Sequence, residues 1–174
     1  MRRKQTGFWL FILPALFAFV LVVLVPAVKG FYYSFTDWNG IGKNAVFVGI
    51  SNYGKLLSDS RFWNSFLFTF VFALCSVICI NAVGFGLPLV APAFAIGLFL
   101  SISDSFKMFD QNLSLTGGEP MHQTEMMALN IYDTFYGRVG YEGVGQAKAV
   151  IFFIIVVAIG MIQLYATKSK EVQQ

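Results

Sequence analysis

Over most of this chain hydrophobic positions neither alternate nor recur on one face. They run on in long blocks bounded by charges. The longest block, Phe62 to Ser103, holds 42 consecutive residues without a charge. As one α-helix it would be roughly 63 Å long, about two crossings of a ~30 Å hydrocarbon core. Its middle reads Gly84-Phe85-Gly86-Leu87-Pro88-Leu89-Val90-Ala91-Pro92, two glycines and two prolines where a chain turns back. The block therefore predicts two spans, at 63–83 and 89–107, with a junction near 84–92. The second arm reaches only from 89 to 103 before Asp104, short of a full crossing, so Asp104 and Lys107 are carried into the outer interface. Their three-residue spacing puts them on one helix face, where they can pair. A turn begun near Asn81 would instead leave 87–106 as the second span, and the sequence leaves both divisions open.

Two further apolar blocks have the length of one crossing, at 8–28 and 149–167. The first follows Arg2-Arg3-Lys4, which also resembles the basic start of a signal peptide. Its apolar core is longer than such a peptide needs, and Lys29 stands where small residues would be cleaved. An uncleaved span is expected, with Pro14 and Pro26 tolerated because neighbouring helices can satisfy freed carbonyls. The last block leads into Lys168 and Lys170. Basic residues at both ends place both termini in the cytoplasm and require an even number of spans. The expected fold is thus an all-α integral membrane protein, one domain over 1–174 with four transmembrane helices.

The connections are more polar. Phe31, Tyr32, Tyr33, Phe35 and Trp38 form an aromatic belt after the first span. Asn39-Gly40 signals a turn, and Leu56, Leu57, Phe62, Trp63 and Phe66 recur at helical spacing. Gly117-Gly118-Glu119-Pro120 predicts a turn in an external loop, followed by a short helix from Glu125 to Tyr136. From Asp104 through Lys148 stand six acids and three bases, a balance that does not mark a cytoplasmic loop.

Composition agrees: 57% hydrophobic, 12% charged and a mean hydropathy of +0.69. The net charge of +3 is too small to indicate nucleic acid. Cys75 and Cys79 share a helix face, where they read as small apolar residues. Gly49-Ile50-Ser51-Asn52-Tyr53-Gly54-Lys55-Leu56 has P-loop spacing but ends in Leu56, without the hydroxyl that holds magnesium. His122, the sole histidine, lies in a loop without a nearby Cys, Asp or second His, and reads as a solvated surface residue. Asn112-Leu113-Ser114 has glycosylation spacing and matters only in a eukaryotic secretory setting. No nucleophile and base can be assembled, so neither an enzyme nor a metal or other cofactor is expected. Ala93, Gly97 and Ser101 recur every four residues, a pattern that permits close helix packing as readily as it fills an ordinary apolar span. Asp104, with Ser101 and Lys107, is the candidate for a solute path, since acids in membrane helices face polar interiors; a plain helix-end acid is the competing reading.

Several stretches in order resemble the inner-membrane permease subunits of bacterial carbohydrate-uptake ABC transporters, of the maltose and glycerol-3-phosphate importer type. They are Phe11-Ile12-Leu13-Pro14-Ala15-Leu16 with Tyr33-Ser34-Phe35-Thr36-Asp37-Trp38, then Val48-Gly49-Ile50-Ser51-Asn52-Tyr53 with Leu56-Leu57 and Phe62-Trp63. Leu87-Pro88-Leu89-Val90-Ala91-Pro92, Phe109-Asp110, Leu115-Thr116-Gly117-Gly118-Glu119-Pro120, Ile131-Tyr132 and Gly145-Gln146-Ala147-Lys148-Ala149 complete the series. The resemblance implies a multi-pass protein of the bacterial plasma membrane. Its implied partners are a second permease, ATPase subunits that hydrolyse the ATP, and an extracytoplasmic solute-binding protein.

The chain also departs from that family. Such permeases have about six core spans, two more than one span per ~20 apolar residues gives here. Their cytoplasmic coupling helix, with a Glu-Ala-Ala motif, stands just before the Leu-Pro…Pro segment. In this chain Asn81-Ala82-Val83-Gly84-Phe85-Gly86 stands there, resembling the end of an earlier span. The expectation is a sugar-importer permease subunit shortened internally near Leu87 and without ATPase coupling. The alternative is a non-transporting membrane interaction protein, or a deletion relic, that keeps its packing surfaces. An unrelated four-helix channel would need pore-lining charges that the spans lack.

Overall fold

The computed structural model describes residues 12–42, 45–84, 104–105 and 108–171. The described helices are α1 (Ile12–Tyr33), α2 (Ser51–Leu57), α3 (Ser60–Gly84), α4 (Phe109–Leu115), α5 (Met127–Tyr136) and α6 (Glu142–Glu171). Among the described residues no strand forms, and Thr36 and Phe47 make one isolated bridge. Among the described residues three helices are long and apolar enough to cross a membrane: Ile12–Tyr33, Ser60–Ile80 within α3 and Glu142–Ile162 within α6. The span expected at 89–107 lies outside the described residues, apart from Asp104 and Ser105.

α1 contains one widened turn, a π-helical stretch at Val20–Leu24 in which the Val25 N–H donates to the Val20 carbonyl. Pro26 explains its place. Proline has no N–H to donate and its ring crowds the carbonyl four residues back, Val22, so the turn before it opens. The helix then runs on through Tyr33, so the belt residues Phe31 and Tyr32 form its last turn and lie exposed.

α6 begins at Glu142, seven residues before the expected apolar start at Ala149. The intervening Gly-Val-Gly-Gln-Ala-Lys turn is helical because its charge is satisfied: Lys148 Nζ donates to Asp59 Oδ2 at 2.7 Å. Glycines admit the close approach. A Cβ at Gly143 would press on the Thr36 carbonyl and on Asn52, and one at Gly145 would lie 3.0 Å from Phe135 Cβ. The short helix expected from Glu125 starts instead at Met127, because Glu125 is engaged elsewhere and the Met126 N–H donates to Asn112 Oδ1 at 2.8 Å.

α6 is the hub, packing against α1, α2 and α5, while α3 and α4 also pack on α5. The apolar core is Leu56, Phe62, Met127, Val144 and Ala147, flanked by Tyr53, Phe66, Ile151 and Phe152. It lies beside the C-terminal end of α1 and at the N-terminal ends of α3 and α6, so these three span ends share one side of the molecule. The short helices α2, α4 and α5 build a cap there.

Candidate functional site

The polar interior of this cap is an ion network joining segments far apart in the chain. Arg61, in the first turn of α3, donates through Nε to Glu125 Oε2 at 2.6 Å and through Nη2 to Glu125 Oε1. The same Nη2 reaches Asp133 Oδ2 on α5 at 2.6 Å. Glu125 is fully buried and also accepts from Ser65 Oγ at 3.2 Å and Asn130 Nδ2 at 3.1 Å. The fork of one guanidinium on a carboxylate is the geometry that compensates a buried charge best.

A second cation lies next to it. Lys148 is fully buried, and its ammonium donates to Asp59 Oδ2, to Asn130 Oδ1 at 2.8 Å and to Thr134 Oγ1 at 2.9 Å. All three ammonium hydrogens thus have acceptors. Asn130 links the halves, giving its amide to Glu125 and its carbonyl to Lys148. Arg138 Nη1 stands 3.8 Å from Asp59 Oδ2. Three cations (Arg61, Arg138, Lys148) therefore meet three anions (Asp59, Glu125, Asp133).

Burial alone would raise the Asp59 carboxyl, but the hydrogen bond and charge of Lys148 outweigh it. With help from the Arg61 N–H and Arg138, they hold it below its ordinary value of 3.8. Side-chain to main-chain bonds close the rest. Thr69 Oγ1 accepts the Met127 N–H at 2.8 Å, and Asn52 Nδ2 donates to the carbonyls of Ser34 at 2.9 Å and Thr36 at 2.7 Å.

The turn at Gly117–Pro120 covers the network. Gly117 and Gly118 have φ of +57° and +86°, and Pro120 follows a cis peptide. A Cβ on Gly118 would meet Glu125 Cβ at 3.2 Å, so the glycine lets the turn close over the buried carboxylate. Asp104 is exposed and Ser105 buried. Ser101, Lys107, Ala93 and Gly97 lie outside the described residues.

His122, expected to stand apart from other ligands, is brought near acids instead: ligand atoms of His122, Glu125 and Asp133 lie within 4.8 Å of one another. Glu125 already stands three residues from His122 in the sequence, and the fold adds Asp133 from α5. Both carboxylates already take Arg61, so a metal ion there would have to displace a guanidinium. The P-loop-like stretch is put to other use. Leu56 is core, and Lys55 Nζ lies 5.9 Å from the Tyr141 ring centre.

Two cavities border the cap along α6. One, of about 590 Å³, lies between α1 and α6 and is lined by Pro26, Gly30, Phe31, Phe153 and Ile154 among others. The other, of about 380 Å³, is walled by Phe109, Tyr132, Phe135 and Tyr136. Gln146 and Ala149 line both. Together with the ion network this is an arrangement for holding span ends and for non-covalent contact.

Asp59, Arg61, Glu125, Asp133 and Lys148 were not marked as site residues by the sequence. Their one visible signal is position: Asp59 and Arg61 stand at the edge of the longest uncharged block, and Lys148 at the edge of the last.

No family model matches the chain. The chain is similar to the probable starch degradation products transport system permease protein AmyD of Thermoanaerobacterium thermosulfurigenes. They are 31% identical over 285 positions, covering 98% of this chain and 97% of AmyD. It is 36% identical over 104 residues to the probable ABC transporter permease protein y4oQ of Sinorhizobium fredii, covering 58% of this chain and 33% of that protein. With the multiple sugar-binding transport system permease protein MsmF of Streptococcus mutans it shares 37% over 70 residues, 40% of this chain and 24% of MsmF.

Proposed function

The chain belongs to the permease proteins of sugar-uptake ABC transporters, and from that premise we propose that it is an internally shortened permease subunit whose coupling to an ATPase is lost. The observation that carries the reading is the AmyD alignment. It covers both proteins almost end to end, yet runs over 285 positions against a chain of 174 residues. The excess faces gaps inside this chain. The Gly84–Pro92 junction is where the sequence brings together two pieces that are apart in such permeases.

Connectivity supports four spans with both termini on one side. α3 leaves the cap at Ser60 and, at 25 residues, ends ~37 Å away at Gly84. α4 and α5 are back in the cap, with Asn112 Nδ2 donating to the Thr124 carbonyl at 2.7 Å. In this reading the span expected at 89–107 is the return passage between them. Because α1 enters the cap by its C-terminal end and α6 by its N-terminal end, their other ends share the opposite face. The basic residues at 2–4, 168 and 170 mark that face as cytoplasmic.

In this reading the subunit sits in a bacterial plasma membrane, pairs with a second permease and faces a solute-binding protein through the cap. The transported solutes are sugars or related small polar molecules, with Ser101, Asp104 and Lys107 along their path and Ala93, Gly97 and Ser101 against a neighbouring helix. The ATPase subunits have no coupling helix to grip, so nucleotide-driven closure has no differential contact through which to act.

Co-purification from membranes in which this chain is expressed with its second permease and ATPase tests the proposal. The expected outcome is retention of the second permease, without any rise in ATP hydrolysis when sugar and binding protein are added. Sugar-stimulated hydrolysis would overturn the loss of coupling. Failure to retain any transporter subunit would favour the non-transporting interaction protein.

A further inference from the structure

The segment from Phe47 to Leu57 carries large apolar side chains that stand mostly exposed. Phe47 is 68% exposed, Ile50 76% and Leu57 61%. Their neighbours sort them by direction. On α2 the buried residues are Asn52 and Leu56, which face α6 and the core. Ile50, Gly54 and Leu57, at i, i+4 and i+7, share a second direction. Ser51, Lys55 and Ser58 share a third, and all six are exposed. The surface of this helix turned away from the protein is thus half apolar and half polar, the division a helix shows when it lies in a bilayer interface.

The apolar half is continuous with side chains that already belong to the membrane. Phe31, exposed in the last turn of α1, meets Phe35 edge-on with ring centres 5.3 Å apart, and Phe35 stacks on Phe47 at 6.3 Å. On the other side, Trp63 in the first turns of α3 is exposed and donates its indole N–H to the Leu57 carbonyl at 2.9 Å. The aromatic ladder therefore leads from the lipid-facing end of one span, through the loop and α2, to the lipid-facing start of the next. Tryptophan and tyrosine at span ends mark headgroup depth, and the segment between them stands at the same level.

We propose that residues 47–57 form an in-plane membrane anchor, with Phe47, Ile50 and Leu57 in the outer part of the leaflet and Ser51 and Lys55 turned to water and phosphate. The occupant of this surface is the phospholipid bilayer itself. The proposal rests on α1, α3 and α6 being spans, and stands apart from whether the chain transports anything.

The test is spin labelling of the full chain with Cys75 and Cys79 replaced by alanine, reconstituted in phosphatidylethanolamine–phosphatidylglycerol vesicles. Labels are placed singly through Ile50→Cys, Ser51→Cys, Lys55→Cys and Leu57→Cys, all at exposed positions. Collision with oxygen, which concentrates in lipid, should dominate at 50 and 57. Collision with a water-soluble nickel chelate should dominate at 51 and 55. Nickel access at all four positions would make the segment an aqueous loop and overturn the proposal. Screening from both reagents at 50 and 57 would mean that protein covers the face, and would also overturn it. A label at Leu74→Cys, exposed in α3, reports separately on the spans: nickel access there would refute the membrane reading itself, whatever α2 does.

Discussion

Arg61 carries two carboxylates, one of them fully buried, so its loss leaves an uncompensated charge inside the cap. Arg61→Ala is expected to cost about 3–5 kcal/mol, read as a lowered denaturant midpoint in detergent micelles. Arg61→Lys should recover only part of it, since an ammonium cannot place two parallel N–H groups on Glu125. Asp59 gives a pH signature. Its carboxyl is held below the ordinary value of 3.8 in the folded protein. A depressed carboxylate contributes stability that is present above the unfolded value and lost as pH falls through the folded one. The difference in melting temperature between the parent chain and Asp59→Asn should therefore be full at neutral pH and shrink below about pH 4. A difference independent of pH would show that Asp59 acts by shape. None of these pairings was legible in the sequence. Each charge is visible as a residue, but the partners stand 64, 72 and 89 positions apart. Only the packing of α3 and of α6 on α5 brings them together.

At the scale of elements, glycines separate what the chain tolerates from what it requires. Gly54 is interior to α2, and a Cβ there meets nothing within 4 Å. Gly54→Ala should stabilise by about 0.5–1 kcal/mol by removing backbone entropy from the unfolded chain, measurable as a raised unfolding midpoint. Gly118 is the converse. Gly118→Ala meets a positive φ and the Glu125 side chain, so it should destabilise by about 1–2 kcal/mol. The turn at Gly117–Pro120 was readable from residue types, because glycine and proline act through their own backbones. The early start of α6 was not. Lys148 reads as the polar edge of an apolar block, and only Asp59 and Asn130 make it compatible with a buried helix. Likewise Pro26 announces a disturbance in α1, while the length of the π-helical stretch depends on the surrounding turns.

Across the whole molecule, topology can be measured directly. In a background without Cys75 and Cys79, Ser51→Cys and Thr124→Cys are expected to react with a membrane-impermeant maleimide in intact cells, and Ser169→Cys only after permeabilisation. Protection of Thr124→Cys would refute the four-span arrangement. What the sequence determined by itself is the class. Uncharged blocks longer than a hydrocarbon core admit only membrane helices, because backbone groups in lipid must be satisfied within the element. The ordered local stretches in turn carried the family likeness. Tertiary structure decided how the ends of those helices are held: which six charges neutralise one another, why a lysine can be fully buried, and which face of α2 is left exposed. Span formation is local, set by the hydropathy of about twenty successive residues. Charge compensation is a distance between residues far apart in the chain, and it exists only once the helices have packed.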